Sequence, residues 1–335
     1  MQMWTKTSID DVILDFLWSQ WAQLGVAGLA QRVDRWAIDP EALLRFTLLF
    51  APRDPRLFDE VLDWLRVNGR LISVKRLRNL AQGERERRLI KAALAWAGAH
   101  EPGLQLWAQG QPEAVTPEPL ADLLVRDPDE SLAAWGFLWP HTPASNKSVR
   151  VDPLRPVALA FRLRLVTGVG ARAEIIRYLL TYQLAASTSE IARAAGFGRR
   201  NVADALGELA EARVIDASTN TRGHTYSLDV QRWGTILMLG RDDVPFYVDW
   251  IRLFAALWRI VEWFDQDAHS DRSEYMRASE ARQLVLSVEN DLMAAGLRLP
   301  PKRGAPGAEY WERFQALIEA ILDALRTPST QATDA

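Results

Sequence analysis

The chain has 335 residues, of which 48% are hydrophobic and 25% are charged, and its formal net charge is −3. These values are typical of folded globular proteins with two or three domains, and they exclude wholesale disorder and a general electrostatic attraction to nucleic acid. The absence of cysteine excludes disulfides and thiolate chemistry, and the four histidines are too far apart in sequence to suggest a metal site. We therefore expect neither a metal nor a cofactor.

Residues 1–100 are predicted to form an N-terminal helical domain. One helix is delimited by Asp54 as a cap, Pro55 at the first helical position and Asn68-Gly69 as a stop. From Arg66 to Lys91 the chain carries nine basic and two acidic side chains. Two interpretations of this basic run stay open: phosphate contacts that do not depend on base sequence, or a solvated helix face paired with nearby carboxylates.

Residues 101–150 are predicted to be an irregular connector, because seven prolines interrupt regular structure there. Between Glu101 and Ser145 it carries seven acidic residues and one basic residue, Arg126. Its apolar stretch SLAAWGFLWP predicts that the connector packs onto a domain surface. The opposite charges also suggest that it folds against the basic run when DNA is absent.

A tight pair of helices is predicted within residues 151–233. Ser187 and Glu190 fit a capping box, and Gly196 suits the left-handed residue that ends the helix they start. The next helix, about 199–212, is expected to cross the previous one. Its predicted buried residues are Val202, Ala205, Leu206 and Leu209, and its predicted outward residues are Arg199, Arg200, Asn201, Ala203, Asp204 and Gly207.

The next segment, RVIDASTNTRGHTYSL, changes to near-alternation around a polar tip and predicts a β-hairpin. A helix, a tight helix pair and a hairpin with an arginine at its tip follow one another in this order. The order resembles the winged helix-turn-helix domain of bacterial transcription regulators of the MarR and ArsR type. The resemblance covers roughly Ala171 to Trp233.

The resemblance implies DNA-binding residues on the second and third helices. These are base contacts by Arg199, Arg200, Asn201 and Asp204, and phosphate contacts by Ser187, Ser189 and Arg193. In the hairpin, Arg222 would lie over the neighbouring minor groove, and His224 would support it. DNA-binding domains of this type commonly bind two half-sites related by two-fold symmetry, so a homodimer is expected.

A C-terminal helical domain is predicted for residues 234–327, followed by a disordered tail, 328–335. The tryptophan-rich stretch from Pro245 to Asp265 carries four charged residues, which argues against a membrane span. This stretch either lines a ligand pocket or is buried as core or subunit interface, and helix patterns favour burial. No secretory signal is visible, so a cytoplasmic location is expected.

Enzyme motifs are weak in this sequence. The string GVGARA matches a dinucleotide-binding G-x-G-x-x-A, but the polar AASTSE stands where a second buried strand is needed. We expect no catalytic activity.

The expected fold is mostly α, with a central winged helix-turn-helix domain, residues 151–233, and a small hairpin wing between N- and C-terminal helical domains. The resemblance implies a regulator of transcription, expected to be a repressor, that binds double-stranded DNA. The alternative is a helical protein-interaction module, such as an antitoxin-like partner of another polypeptide.

Overall fold

A computed structural model of the chain describes residues 4–28, 36–104, 115–220, 223–240, 243–267, 273–297 and 307–326. Fourteen α-helices hold most of these described residues, and the strands are short. The prediction of a mostly α fold is therefore confirmed. Two predictions lie outside the described residues: the place of Arg222 at the hairpin tip, and the disorder of the tail 328–335.

The chain divides into two compact units. One contains residues 1–19 together with Val248–Ala335, and the other contains Gln20–Tyr247. The first helix, α1 (Lys6–Gln23), crosses the division. The boundaries predicted after residues 100, 150 and 233 all fall inside the second unit, and separate folding of the segments they delimit stays a prediction.

Four helices follow α1 in the second unit: α2 (Pro40–Phe50), α3 (Pro55–Asn68), α4 (Val74–Leu80) and α5 (Glu84–His100). Helix α3 begins as predicted. The Asp54 carboxylate accepts hydrogen bonds from the amides of Arg56 and Leu57 at 3.1 and 3.3 Å, which satisfies two amides that have no partner inside the helix. Helix α3 also ends as predicted, at Asn68.

In its described residues the connector has two short strands and a short α-helix: β1 (Glu118–Pro119), α6 (Glu130–Ala134) and β2 (Phe137–Leu138). The two strands pair in parallel. Trp139 is buried, and its indole Nε1 donates to the Asp59 carboxylate of α3 at 2.8 Å. Arg85 of α5 pairs with Glu118 across 2.7 Å. The connector thus packs onto α3 and α5, and one of its carboxylates contacts the basic run.

The described residues in the remaining part of this unit form five α-helices and a three-stranded sheet. In chain order they are α7 (Leu159–Thr167), α8 (Ala171–Tyr182), β3 (Ala186–Ser187), α9 (Thr188–Ala195), α10 (Arg199–Glu211), β4 (Asp216–Asn220), β5 (Gly223–Ser227) and α11 (Val230–Ile236). The sheet is antiparallel in the order β3-β5-β4. Ile176, Ile191 and Leu206 are fully buried in one core, so α8, α9 and α10 pack together.

The other unit contains the first residues of α1 and three long helices, α12 (Trp250–Asp267), α13 (Glu274–Ala294) and α14 (Gly307–Arg326). The tryptophan-rich stretch forms its core. The Trp263 ring meets Phe314 edge-on with centroids 5.2 Å apart, and the Trp250 ring stacks on Phe16 at 6.0 Å. This agrees with the favoured interpretation, burial. Of the helices in the described ranges, none is both long and apolar enough to cross a bilayer.

Candidate nucleic-acid interface

A capping box starts the helix pair α9–α10, and two glycines form the turn between its helices. The Ser187 hydroxyl accepts from the amide of Glu190 at 3.3 Å, and the Glu190 carboxylate accepts from the amide of Ser187 at 2.8 Å. This reciprocal pair starts α9 as predicted. Gly196 ends the helix with φ +69°, a left-handed conformation that favours glycine. Helix α10 begins directly after Gly198.

Helix α10 buries one face and exposes the other as the sequence predicts. The four predicted core residues are buried, and all six predicted outward residues are exposed; the buried set is Val202, Ala205, Leu206 and Leu209. At its start, Arg199, Arg200 and Asn201 are exposed. Together these three side chains carry twelve N–H donors, because each arginine guanidinium has five and the asparagine amide has two.

Charge changes sign along the exposed face of α10. After the two arginines, the exposed side chains include Asp204, Glu208 and Glu211. Glu208 forms an exposed ion pair with Arg172 of α8. The cationic part of the helix is therefore confined to its first turn, where the backbone amides add positive partial charge. An anionic partner would meet favourable potential only at that end.

The three residues of the predicted phosphate contacts differ in what their side chains already do. The Ser187 hydroxyl donates to Glu190 Oε2 at 2.7 Å, so its hydrogen is already used inside the capping box. The hydrogen bonds from the Ser187 side chain and amide lower the pKa of Glu190. Ser189 and Arg193 are exposed. They are better placed than Ser187 to contact a ligand without disrupting α9.

The hairpin formed by β4 and β5 pairs five residues of each strand, from Asp216 with Ser227 to Asn220 with Gly223. His224 is exposed, and its Nδ1 lies 3.0 Å from the Thr219 hydroxyl on the facing strand. The predicted hairpin is confirmed. Its β5 strand joins the short β3 strand in front of α9, which ties the hairpin to the helix pair.

Six buried charged side chains, which the sequence analysis did not single out, lie behind the helix pair. They are Asp39, Glu41, Arg76, Arg164, Glu174 and Arg177, each at most 3% exposed. With three cations and three anions the group is balanced. It joins the N-terminal end of α2 with α4, α7 and α8, so the helix pair has a polar, geometrically specific support.

Arg76 is the member of this buried network that contacts the helix pair directly. Its Nη1 donates to Asp39 and Glu41 at 2.5 and 2.9 Å, and its Nε donates to the carbonyl oxygen of Ala195 at 2.6 Å. Beside it, the Asn79 side chain donates to the carbonyl oxygen of Gly196 at 3.2 Å. Helix α4 therefore holds the backbone at the end of α9.

The other two arginines connect α7 and α8 to the same acids. Arg164 Nη2 lies 2.6 Å from both Glu41 and Glu174, and Arg177 Nε donates to Glu174 at 2.8 Å. Burial alone would raise the pKa of Glu174, but Arg177 and Arg164 outweigh it and hold the pKa well below its ordinary value. Glu174 is thus ionised at neutral pH.

The structure argues against the dinucleotide-binding interpretation of GVGARA. The residues in front of Gly168 form helix α7, whereas that motif needs a strand there.

A cleft of about 390 Å³ lies beside this loop, and its lining includes Asn201, Asp204 and Glu208 of α10. Within the described ranges, no group of three or more His, Asp or Glu side chains could hold a metal ion.

Known proteins provide no further guide to this site. No protein-family model matches the chain, and neither a curated protein nor a solved structure matches it.

Proposed function

We propose that residues 171–233 form a winged helix-turn-helix domain that binds duplex DNA. The proposal is supported by the order of elements: α8, then β3, α9 and α10, then a hairpin that completes a three-stranded sheet. In helix-turn-helix proteins the second helix of the pair enters the major groove and reads bases with its N-terminal residues. Here that helix is α10.

The observation that carries the proposal is the exposed first turn of α10. Arg199, Arg200 and Asn201 project from it with no cover in the described part of the chain. Arginine can bind guanine O6 and N7 with two hydrogen bonds, and asparagine can bind adenine N6 and N7 in the same way. Asp204, one turn further along, can accept from the N4 amino group of cytosine.

Contacts to the DNA backbone would come from both sides of the reading helix. Arg193 and Ser189 on α9 are suited to phosphates, because in this arrangement the first helix of the pair crosses the backbone. On the other side, the β4–β5 hairpin would act as the wing. We expect Arg222 to contact the adjacent minor groove, supported by His224.

The biological role that fits such a reader is regulation of transcription, with repression as the expected outcome. A homodimer would place two reading helices on a two-fold symmetric operator, about one helical turn apart. The protein would need no cofactor for this.

One feature favours the alternative, a protein-interaction module. Residues 171–233 carry eight basic and seven acidic residues, and the exposed face of α10 is acidic after its first turn. A near-neutral face of this kind can also bind a protein partner, such as the polypeptide that an antitoxin neutralises.

Fluorescence anisotropy with genomic duplex fragments, at two salt concentrations, separates the two functions. A DNA reader binds some fragments in preference to others, and its affinity falls as salt rises. A stoichiometric polypeptide that co-purifies with the chain, together with no saturable DNA binding, would favour the interaction module.

A further inference from the structure

We infer that α4 is a second DNA-contacting element, which binds the phosphate backbone next to the groove that α10 enters. This inference rests on the proposed function. It assigns part of the basic run, Lys75 and Arg78, as phosphate contacts that do not depend on base sequence. The partner of α4 is the phosphate backbone of the same duplex that the reading helix binds.

The first step is the attachment of α4 to the turn of the helix pair. Arg76 and Asn79 donate to two successive carbonyl oxygens, those of Ala195 and Gly196. A side chain added at Gly196 would lie 3.1 Å from atoms of both Arg76 and Leu80, so the two segments are in close contact. Because Arg76 is fully buried among Asp39 and its other partners, α4 has little freedom to move away.

The second step is the distribution of free cations in the basic run. Several of its arginines already have carboxylate partners, in the pairs Arg66–Asp63, Arg76–Asp39, Arg85–Glu118 and Arg87–Glu84. Lys75 and Arg78 differ from these: they are exposed, and they make no ion pair with any residue of the described ranges. Their charges are available to an anionic partner.

The turn that α4 contacts and the start of the reading helix are separated by only a short stretch of chain. Arg199 follows Gly196 by three residues, which span at most about 11 Å even when fully extended. Since α4 contacts Gly196 through Arg76, Asn79 and Leu80, Lys75 and Arg78 belong to a short helix that adjoins the start of the reading helix. In a bound helix-turn-helix the first helix of the pair crosses the DNA backbone beside the groove that the second helix enters. We therefore expect the exposed cations of α4 to reach this backbone.

The test compares the double variant Lys75→Ala/Arg78→Ala with wild type in anisotropy titrations over a range of salt concentrations. The matched control is Arg126→Ala/Arg150→Ala, which removes two exposed cations from the connector segment. Each lost phosphate contact lowers the slope of log affinity against log salt by about 0.9. We expect a slope smaller by roughly 1 to 2 and an affinity loss of roughly 10- to 60-fold at about 0.1 M salt.

The ratio between a preferred fragment and a mismatched one separates backbone contact from base reading. In the α4 variant this ratio should stay at the wild-type value, while the control should change neither the slope nor the ratio. A slope equal to that of the control would overturn the inference and leave the proposed function intact. A changed ratio would also overturn it, because the side chains would then be reading bases.

Binding of the wild-type protein to duplex DNA tests the proposed function. If the full-length chain shows no saturable binding to any duplex, the proposed function fails, and this inference fails with it. Circular dichroism of the variants confirms that the fold is unchanged, which is expected since both side chains are exposed and unpaired.

Discussion

Arg76 donates a hydrogen bond from Nε to the backbone carbonyl oxygen of Ala195, 2.6 Å away and 119 residues later in the chain. The last carbonyls of a helix have no partner within it, so this guanidinium satisfies one of the open carbonyls at the end of α9. Its other nitrogens bind Asp39 and Glu41. One buried side chain thus connects α2, α4 and the helix pair.

Replacing Arg76 tests how much this connection contributes to the stability of the fold. Arg76→Ala should lower the free energy of unfolding by about 3–5 kcal/mol, because Asp39 and Glu41 lose a buried cationic partner. The measurement is urea unfolding followed by circular dichroism. The neighbouring exposed Lys75→Ala should change stability by less than about 0.5 kcal/mol. A cost below about 1 kcal/mol for Arg76→Ala would contradict the assigned role.

Acid should weaken the network. Burial alone would raise the pKa of Asp39, but Arg76 and Arg177 lower it, and the pKa of Glu174 is lowered in the same way. Their stabilising effect is complete above the unfolded carboxyl pKa of about 4 and is lost as the pH falls through the folded pKa. We expect unfolding free energy to decrease below about pH 5. In Glu174→Gln this decrease should be smaller; an equal decrease would show that Glu174 does not contribute.

Substitutions at the two glycines in the turn of the helix pair should have opposite effects on stability. Gly196 has φ +69°, and an added Cβ would lie 3.1 Å from Arg76 and Leu80. Gly196→Ala should therefore cost about 1–2 kcal/mol or more. Gly198 has φ −60° and open space around it, so Gly198→Ser can supply the missing helix cap and should stabilise by a few tenths of a kcal/mol. Equal thermal midpoints for the two variants would refute this view of the turn.

Two serines near the start of α9 should separate capping from phosphate contact. Ser187→Ala breaks the capping box and should cost about 1 kcal/mol in thermal or urea unfolding. Ser189 is exposed, so Ser189→Ala should leave stability unchanged and weaken DNA binding uniformly across sequences. If Ser187→Ala leaves stability unchanged, its role in starting α9 is wrong.

The helix pair and the hairpin could be predicted from the sequence because their signals are local. The capping box of Ser187 and Glu190 and the buried face of α10 each lie within a few residues, and both are confirmed. The same holds for the cap at Asp54. Periodicity and capping chemistry are sufficient for such features.

The buried network could not be predicted in this way. Arg76 lies among exposed cations in the basic run, and local sequence does not distinguish a buried arginine from a solvated one. Its partner Asp39 is 37 residues away, and Arg177 reaches the same carboxylate across 138 residues. The grouping of residues 1–19 with the C-terminal helices is non-local in the same sense. Such contacts follow from tertiary packing.

The most direct test of the reading helix is the double variant Arg199→Ala/Arg200→Ala on a duplex that wild type prefers. Both side chains are exposed, so the fold should be unaffected. We expect affinity to fall by roughly 1–3 kcal/mol for each base-reading residue, with a reduced preference over mismatched fragments. Affinity and preference equal to those of the Arg126→Ala/Arg150→Ala control would contradict the claim that the first turn of α10 reads DNA.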